Sequence, residues 1–256
     1  MTTTTTTTTT LTRTKCAISF TGGKDSTLAL HDVWTQADQY EVVALVTFVP
    51  ANMKRFRAHP VHVVEVQAQA MGLNYLKMEV GGPDFLASYR DNMLRLRREW
   101  GVEILVTGDI LPVCGDFMER AVQDTGISLH RPLWGLPRPS FLLKPEYTIL
   151  ISCVNTTKFS PGFPASSLVG QPFNRATLDR IREHNDARAA VAEAEVDLAG
   201  EFGEFHTMVV DAPAFRNGRV DVVAGKVVEE GEYAFFEFEE VRLVAREGES
   251  HDQNKA

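Results

Sequence analysis

Between Cys16 and Val154, short apolar runs rich in β-branched residues alternate with stretches whose apolar residues recur every three or four positions. Strands and crossover helices around a parallel sheet produce this rhythm. The candidate strands are Cys16 to Phe20, Val42 to Thr47, Tyr75 to Val80, Ile104 to Thr107 and Thr148 to Val154, each short and suited to a pleated, buried surface. Two intervening stretches carry one apolar stripe each, the pattern of a half-buried helix: Val61 to Met71 through Val63, Val66 and Ala70, and Phe85 to Trp100 through Phe85, Tyr89, Met93, Leu96 and Trp100. Arg90, Arg95, Arg97 and Arg98 read as the solvated face of the second helix.

From Leu136 to Phe173 the chain turns rich in Pro, Gly and Ser around a single strand, which places a seam between two lobes there. Helix returns from Asn174 to His184, with Asn174 as its cap. Strand patterns follow Glu201 and continue to Val244, with Asn217-Gly218 expected as a hairpin turn. The expected fold is therefore α/β: a Rossmann-like parallel-sheet domain over 15–135 and a smaller C-terminal α+β lobe over 136–245. Tails at 1–14 and 246–256 are expected to be disordered, because a Thr run and a polar acidic end have few apolar residues to offset ordering entropy.

Composition narrows the function classes. A formal net charge of −8 weighs against a protein that grips nucleic acid through its phosphates, so no nucleic-acid partner is expected. No apolar stretch approaches the ~20 residues that span a bilayer, and the Thr-rich start has no signal-peptide core. Cys16, Cys114 and Cys153 are odd in number and far apart, which suits neither a disulfide framework nor a CxxC metal pair. A reducing, cytoplasmic setting is expected; self-association is left open.

Chemistry concentrates at Thr21-Gly22-Gly23-Lys24-Asp25-Ser26, which follows an apolar strand and opens a helical pattern. Gly22 and Gly23 permit positive φ and close approach of main-chain N–H groups to an anion, and the helix adds its unpaired donors and positive dipole end. Lys24 brings a mobile charge, and Ser26 or Thr27 can cap the helix or bond phosphate oxygens. The loop is neither GxxxxGK[ST] nor GxGxxG. It resembles the SGGKDS loop of ATP pyrophosphatases, which cleave ATP between the α and β phosphates, with Thr21 in place of the first Ser.

Further landmarks follow in order. Val106-Thr107-Gly108-Asp109-Ile110 ends a buried strand in a glycine and a carboxylate, where a parallel sheet has its ligand crevice. Asp109 either faces a metal or reacting group or caps a turn. Arg131-Pro132-Leu133-Trp134-Gly135 places a tryptophan beside a turn, in the core or at the site. Glu201 and Glu204, three apart around Gly203, lead through Phe205-His206-Thr207 to Asp211-Ala212-Pro213; they either do acid–base or metal chemistry or form a solvated acidic turn.

Together, TGGKDS, VTGDI, PLWG and GEFGEFHT with DAP resemble the diphthine-ammonia ligase family from about Lys15 to Phe215. Val64 to Gly72 is similar to that family's LQAxALG helix. The resemblance implies an adenine-nucleotide α-hydrolase sheet followed by a lobe with an EGGE-type motif. It also implies amidation of a carboxylate: ATP adenylates diphthine on the translation elongation factor, and ammonia displaces AMP. On this basis Lys24, Asp25, Asp109, Glu201 and Glu204 are the expected catalytic residues. Thr21 to Thr27, with Thr107 and Gly108, are the expected ATP-binding residues, and Asp25 and Asp109 the expected Mg²⁺ ligands. The chain has TGDI where the family usually has TGAI, and EGGE-[YF]-E-T reads Glu201-Phe202-Gly203-Glu204-Phe205-His206-Thr207, which is closer to a TGDI-type branch. Pro137, Pro139 and Pro145 interrupt a helix usual after the tryptophan motif. No glutaminase portion is visible, so free ammonia is the expected nitrogen source. Cys114 reads as structural. Two alternatives remain: another ATP pyrophosphatase acting on a small carboxylate or tRNA, and a nucleotide-binding protein without chemistry.

Overall fold

The computed structural model describes residues 12–52, 57–112, 115–137, 144–191 and 194–246. The Thr run, the acidic end from Glu247, Cys114 and Pro139 lie outside them. Five strands form a wholly parallel sheet, β1 (Thr14–Ser19), β2 (Tyr40–Pro50), β3 (Tyr75–Val80), β4 (Ile104–Val106) and β5 (Ser128–His130), in the order β3-β2-β1-β4-β5. The crossovers carry α1 (Lys24–Thr35), α2 (Val61–Met71), α3 (Phe85–Trp100) and α4 (Phe117–Val122). This is the expected α/β architecture. Strand order reverses at β1, so the loops after β1 and β4 diverge and open a crevice between them.

Local chemistry sets the helix bounds. Pro60 precedes α2, and Gly72 ends it in the left-handed region at φ 68°. The Asp84 carboxylate accepts from Ala87 N at 2.9 Å to start α3, and Gly101 closes it at φ 66°. The arginines of α3 behave as a solvated face, with Arg95 and Arg98 both bonded to Glu99.

A second, antiparallel sheet contains β6 (Thr148–Asn155), β7 (Phe205–Asp211), β8 (Arg219–Glu230) and β9 (Tyr233–Val244), ordered β7-β6-β9-β8. Between β6 and β7 runs α5 (Arg175–Ala189), whose first turn is capped by Asn174 accepting from Thr177 N at 3.1 Å. Period-two burial along β1 sorts the packing. Ala17 joins a core under α3 and α4 with Val46, Met93 and Leu105. Cys16 and Ile18 face the other way, into a larger core that also holds Phe205, Val209 and Phe215. The two sheets thus share one hydrophobic interior, in which each fully buried large side chain contributes roughly 1.5–3 kcal/mol. No helix among the described residues is long and apolar enough to cross a membrane.

Three expectations change. Thr148 to Val154 is a strand, but it pairs antiparallel with β7 and β9 rather than joining the parallel sheet. The fifth parallel position belongs to Ser128–His130, a strand too short to leave a periodic signal. Asn217-Gly218 makes no hairpin, since β7 and β8 are not paired neighbours. Instead Asn217 closes the end of α2, donating from Nδ2 to Gln69 O (2.9 Å) and from its main chain to Ala70 O (2.7 Å). The hairpin turn lies between β8 and β9 at Gly231, where φ is 62°.

Candidate active site

The phosphate-loop candidate is held from below by the second sheet. Gly22, at φ 76°, accepts through its carbonyl from Val209 N and from Gln67 Nε2, both at 2.9 Å. A Cβ at Gly22 would lie 2.2 Å from Gln67 Oε1, so the position has no space for a side chain. Gly23 supplies no side-chain cap to α1. Thr207 of β7 takes that part, its hydroxyl accepting from Lys24 N at 3.1 Å. Ser26 donates to Gly23 O at 3.1 Å and lines the crevice. Thr27 also donates to Gly23 O, at 2.9 Å, and is fully buried. Ser26 thus lines the cleft, while the Thr27 hydroxyl is turned inward to Gly23 O. The first-turn N–H groups of α1 have no intrahelical acceptors and carry the positive end of the helix dipole.

Across the crevice, the loop after β4 touches the same helix end. A Cβ on Gly108 would meet Asp25 C at 2.6 Å and Ser26 N at 2.7 Å, so Gly108 serves close backbone approach rather than direct contact through a side chain. Asp109 accepts from the Thr107 hydroxyl through Oδ2 at 2.7 Å. Asp25, Ser26, Asp109 and Glu201 line one side of a cleft of about 610 Å³. Phe85, Tyr89 and Phe117 line it too, so the first members of the α3 stripe wall the cleft, Tyr89 while also packing against the core beneath. Trp134 is 39% exposed at the cleft, with the Arg131 guanidinium 3.8 Å from its ring centroid, and Arg131 reaches Glu119 at 2.6 Å.

Lys24 is only 2% exposed. Its Nζ lies 2.7 and 2.9 Å from the two Asp25 carboxylate oxygens and 3.6 Å from Glu201. Glu204 is spent differently: it is buried and accepts from Asp197 N (3.2 Å) and Phe202 N (2.9 Å), bracing the loop that presents Glu201. Of the two acids expected in one pocket, Glu201 lines the cleft and Glu204 does not. The two metal candidates separate as well. Both oxygens of Asp25 are bonded to an ammonium, whereas Asp109 accepts from a hydroxyl and lines the cleft. Among the described residues no three His, Cys, Asp or Glu side chains cluster as a metal site.

Sequence reasoning missed a second space behind the loop. This cavity of about 150 Å³ is lined by Lys24, Asp25, Glu201, His59 and His206, among others. The two imidazoles meet edge to face with centroids 5.1 Å apart. Burial, then the neighbouring His206, pushes His59 down to about 3, against a hydrogen bond to the Thr21 backbone. Burial and the Lys24 charge lower His206 too. His206 stands where the EGGE-type pattern carries its last Glu, the one signal that could have singled it out. Burial raises Cys16 to about 12 and Cys153 to about 11, so neither is a thiolate near neutrality.

Comparison with known proteins adds two family matches. Residues 14–127 match the Diphthamide synthase N-terminal domain, and residues 152–244 match the Diphthamide synthase C-terminal domain. No curated protein matches the chain. Among solved structures it is similar to the U34-tRNA thiolase NcsA from Methanococcus maripaludis with its [4Fe-4S] cluster, at 17% identity and a TM-score of 0.36. That likeness covers 52% of this chain and 56% of the thiolase, so the chain spans little more than half of it, and no functional argument is drawn from it.

Proposed function

Because the chain belongs to the diphthamide synthase family, an ATP-utilising one, we propose that it is an AMP-forming amide ligase that adenylates a carboxylate and amidates it with ammonia. The carboxylate is that of diphthine on the translation elongation factor. One observation carries this reading: the loop from Thr21 to Ser26, Asp109 and Glu201 converge on one cleft at the point where strand order reverses.

In this mechanism the first-turn N–H groups of α1 and the Ser26 hydroxyl hold the β and γ phosphates of ATP. Lys24, buried against Asp25 and Glu201, offsets negative charge growing on the departing pyrophosphate, worth about 3 kcal/mol in a site closed to water. Asp109 and Thr107 suit Mg²⁺, a hard cation that takes one or two carboxylates and completes its shell with phosphate and water. When bound, the ion neutralises phosphate charge. Asp25 is proposed to stay with Lys24, whose ammonium repels a divalent ion. The aromatic wall and Arg131 border the space left for the acceptor. No side chain acts as a nucleophile, so positioning of acyl adenylate and ammonia supplies most of the acceleration, about 7 kcal/mol or more.

The test incubates the protein with ATP, Mg²⁺, ammonium and diphthine-bearing elongation factor. AMP release is followed together with the loss of about one dalton that converts acid to amide. Both together support the reading. AMP without the mass change points to another carboxylate, and absence of both leaves a nucleotide-binding protein without chemistry.

A further inference from the structure

The cavity behind the phosphate loop shares Thr21, Asp25, Ser26 and Glu201 with the larger cleft, so the two spaces meet at the reacting end of the loop. No step above uses either of its histidines. Its volume of about 150 Å³ holds a few water-sized molecules. Among the described residues, Lys24 is paired with both Asp25 and Glu201, so its charge is already met before any guest enters. A guest anion must compete there with those two carboxylates for Lys24, and Lys24 disfavours an added cation beside it. A small neutral molecule that both donates and accepts hydrogen bonds suits the lining.

We propose that this cavity is the ammonia subsite, with the Glu201 carboxylate and the His206 imidazole as hydrogen-bond acceptors for NH₃. The proposal rests on the amide-ligase reading above. His59 packs edge-on against His206, which bounds the ring that faces the guest. Burial and Lys24 hold His206 below the ordinary histidine value, which keeps an acceptor nitrogen available at neutral pH. From this position the ammonia lone pair attacks the acyl carbon of the adenylate. The C–N bond forms, the C–O bond to AMP breaks, AMP leaves with its electron pair, and the proton shed by nitrogen leaves on the AMP phosphate.

Two assays on the full chain with ATP, Mg²⁺ and diphthine-bearing elongation factor test this. Exchange of labelled pyrophosphate into ATP reports adenylation without ammonia, and AMP release against ammonium concentration at fixed pH reports the second step. In H206L the KM for ammonium rises roughly five- to tenfold, the loss of one hydrogen bond, while the KM for pyrophosphate in the exchange does not move. H206Q, which keeps a polar group, gives a smaller rise and provides the same comparison should H206L lose exchange through misfolding. A raised pyrophosphate KM with an unmoved ammonium KM overturns the proposal, because the cavity then holds the leaving group; no change in either KM overturns it equally. Absence of exchange in the unsubstituted protein removes the adenylation reading itself, and the subsite with it.

Discussion

Gly108 shows how little room the site leaves at single positions. Its missing Cβ lets the loop after β4 rest on the backbone of Asp25 and Ser26. Gly108→Ala must push the loop off the first turn of α1, at a cost of about 1–3 kcal/mol, and is expected to weaken ATP binding as well. Urea unfolding and calorimetric titration check both effects. His59 makes a different residue-scale prediction. Its folded value of about 3 lies below the unfolded histidine value, so between about 6.5 and about 3 the unfolded chain takes up a proton that the folded one refuses. Stability should be unaffected by His59 above that window and fall as pH drops through it, by up to about 1.4 kcal/mol per pH unit; His206 acts in the same direction. His59→Gln should flatten that slope in denaturation midpoints taken across the window. At this scale, the sequence made the Thr21–Ser26 loop legible as a strand, glycine turn and helix unit because its parts are contiguous. It could not reveal the His59–His206 pair, which only the packing of the second sheet against the loop creates.

Among the elements, α2 does more than cover the parallel sheet. Gln67, with no exposed surface, donates to Gly22 O (2.9 Å), Val209 O (2.6 Å) and Met208 Sδ (3.2 Å), tying helix, loop and β7 at one point. Gln67→Leu leaves two buried carbonyls with fewer donors, at about 1–3 kcal/mol each. The expected result is faster amide hydrogen exchange at Val209 and Lys24 together, with a raised KM for ATP. Exchange confined to α2 would refute that link. Helix and strand bounds were legible where punctuation is strong, as with Pro60 and Gly72 around α2 or Asp84 and Gly101 around α3. Partners were not: the apolar run of β6 looks the same whichever sheet it joins, and Asn217-Gly218 has hairpin chemistry that the fold uses to close a helix. Glu204 belongs with these, because a carboxylate that braces its own loop reads in sequence like one that faces a substrate.

At the scale of the whole molecule, the larger core runs from Ile18 of the parallel sheet to Phe215 beyond the antiparallel one. The α/β plan was legible from periodicity, whereas this shared interior was not, since periodicity says which face is buried and not against what. Helix α1, the element proposed to receive nucleotide, opens on a glycine and takes its missing cap from Thr207, 183 residues away along the chain. Thr207→Ala is expected to cost about 1 kcal/mol and to shrink the rise in melting temperature that ATP produces, a difference readable by thermal denaturation with and without nucleotide. An unchanged ATP-induced shift would mean that the cap and the ligand act independently. The borrowed cap makes binding and assembly two sides of one equilibrium. On the proposed reading, nucleotide that settles the first turn of α1 strengthens the seat of the second sheet, and by reciprocity a protein substrate docked on that sheet would change ATP affinity.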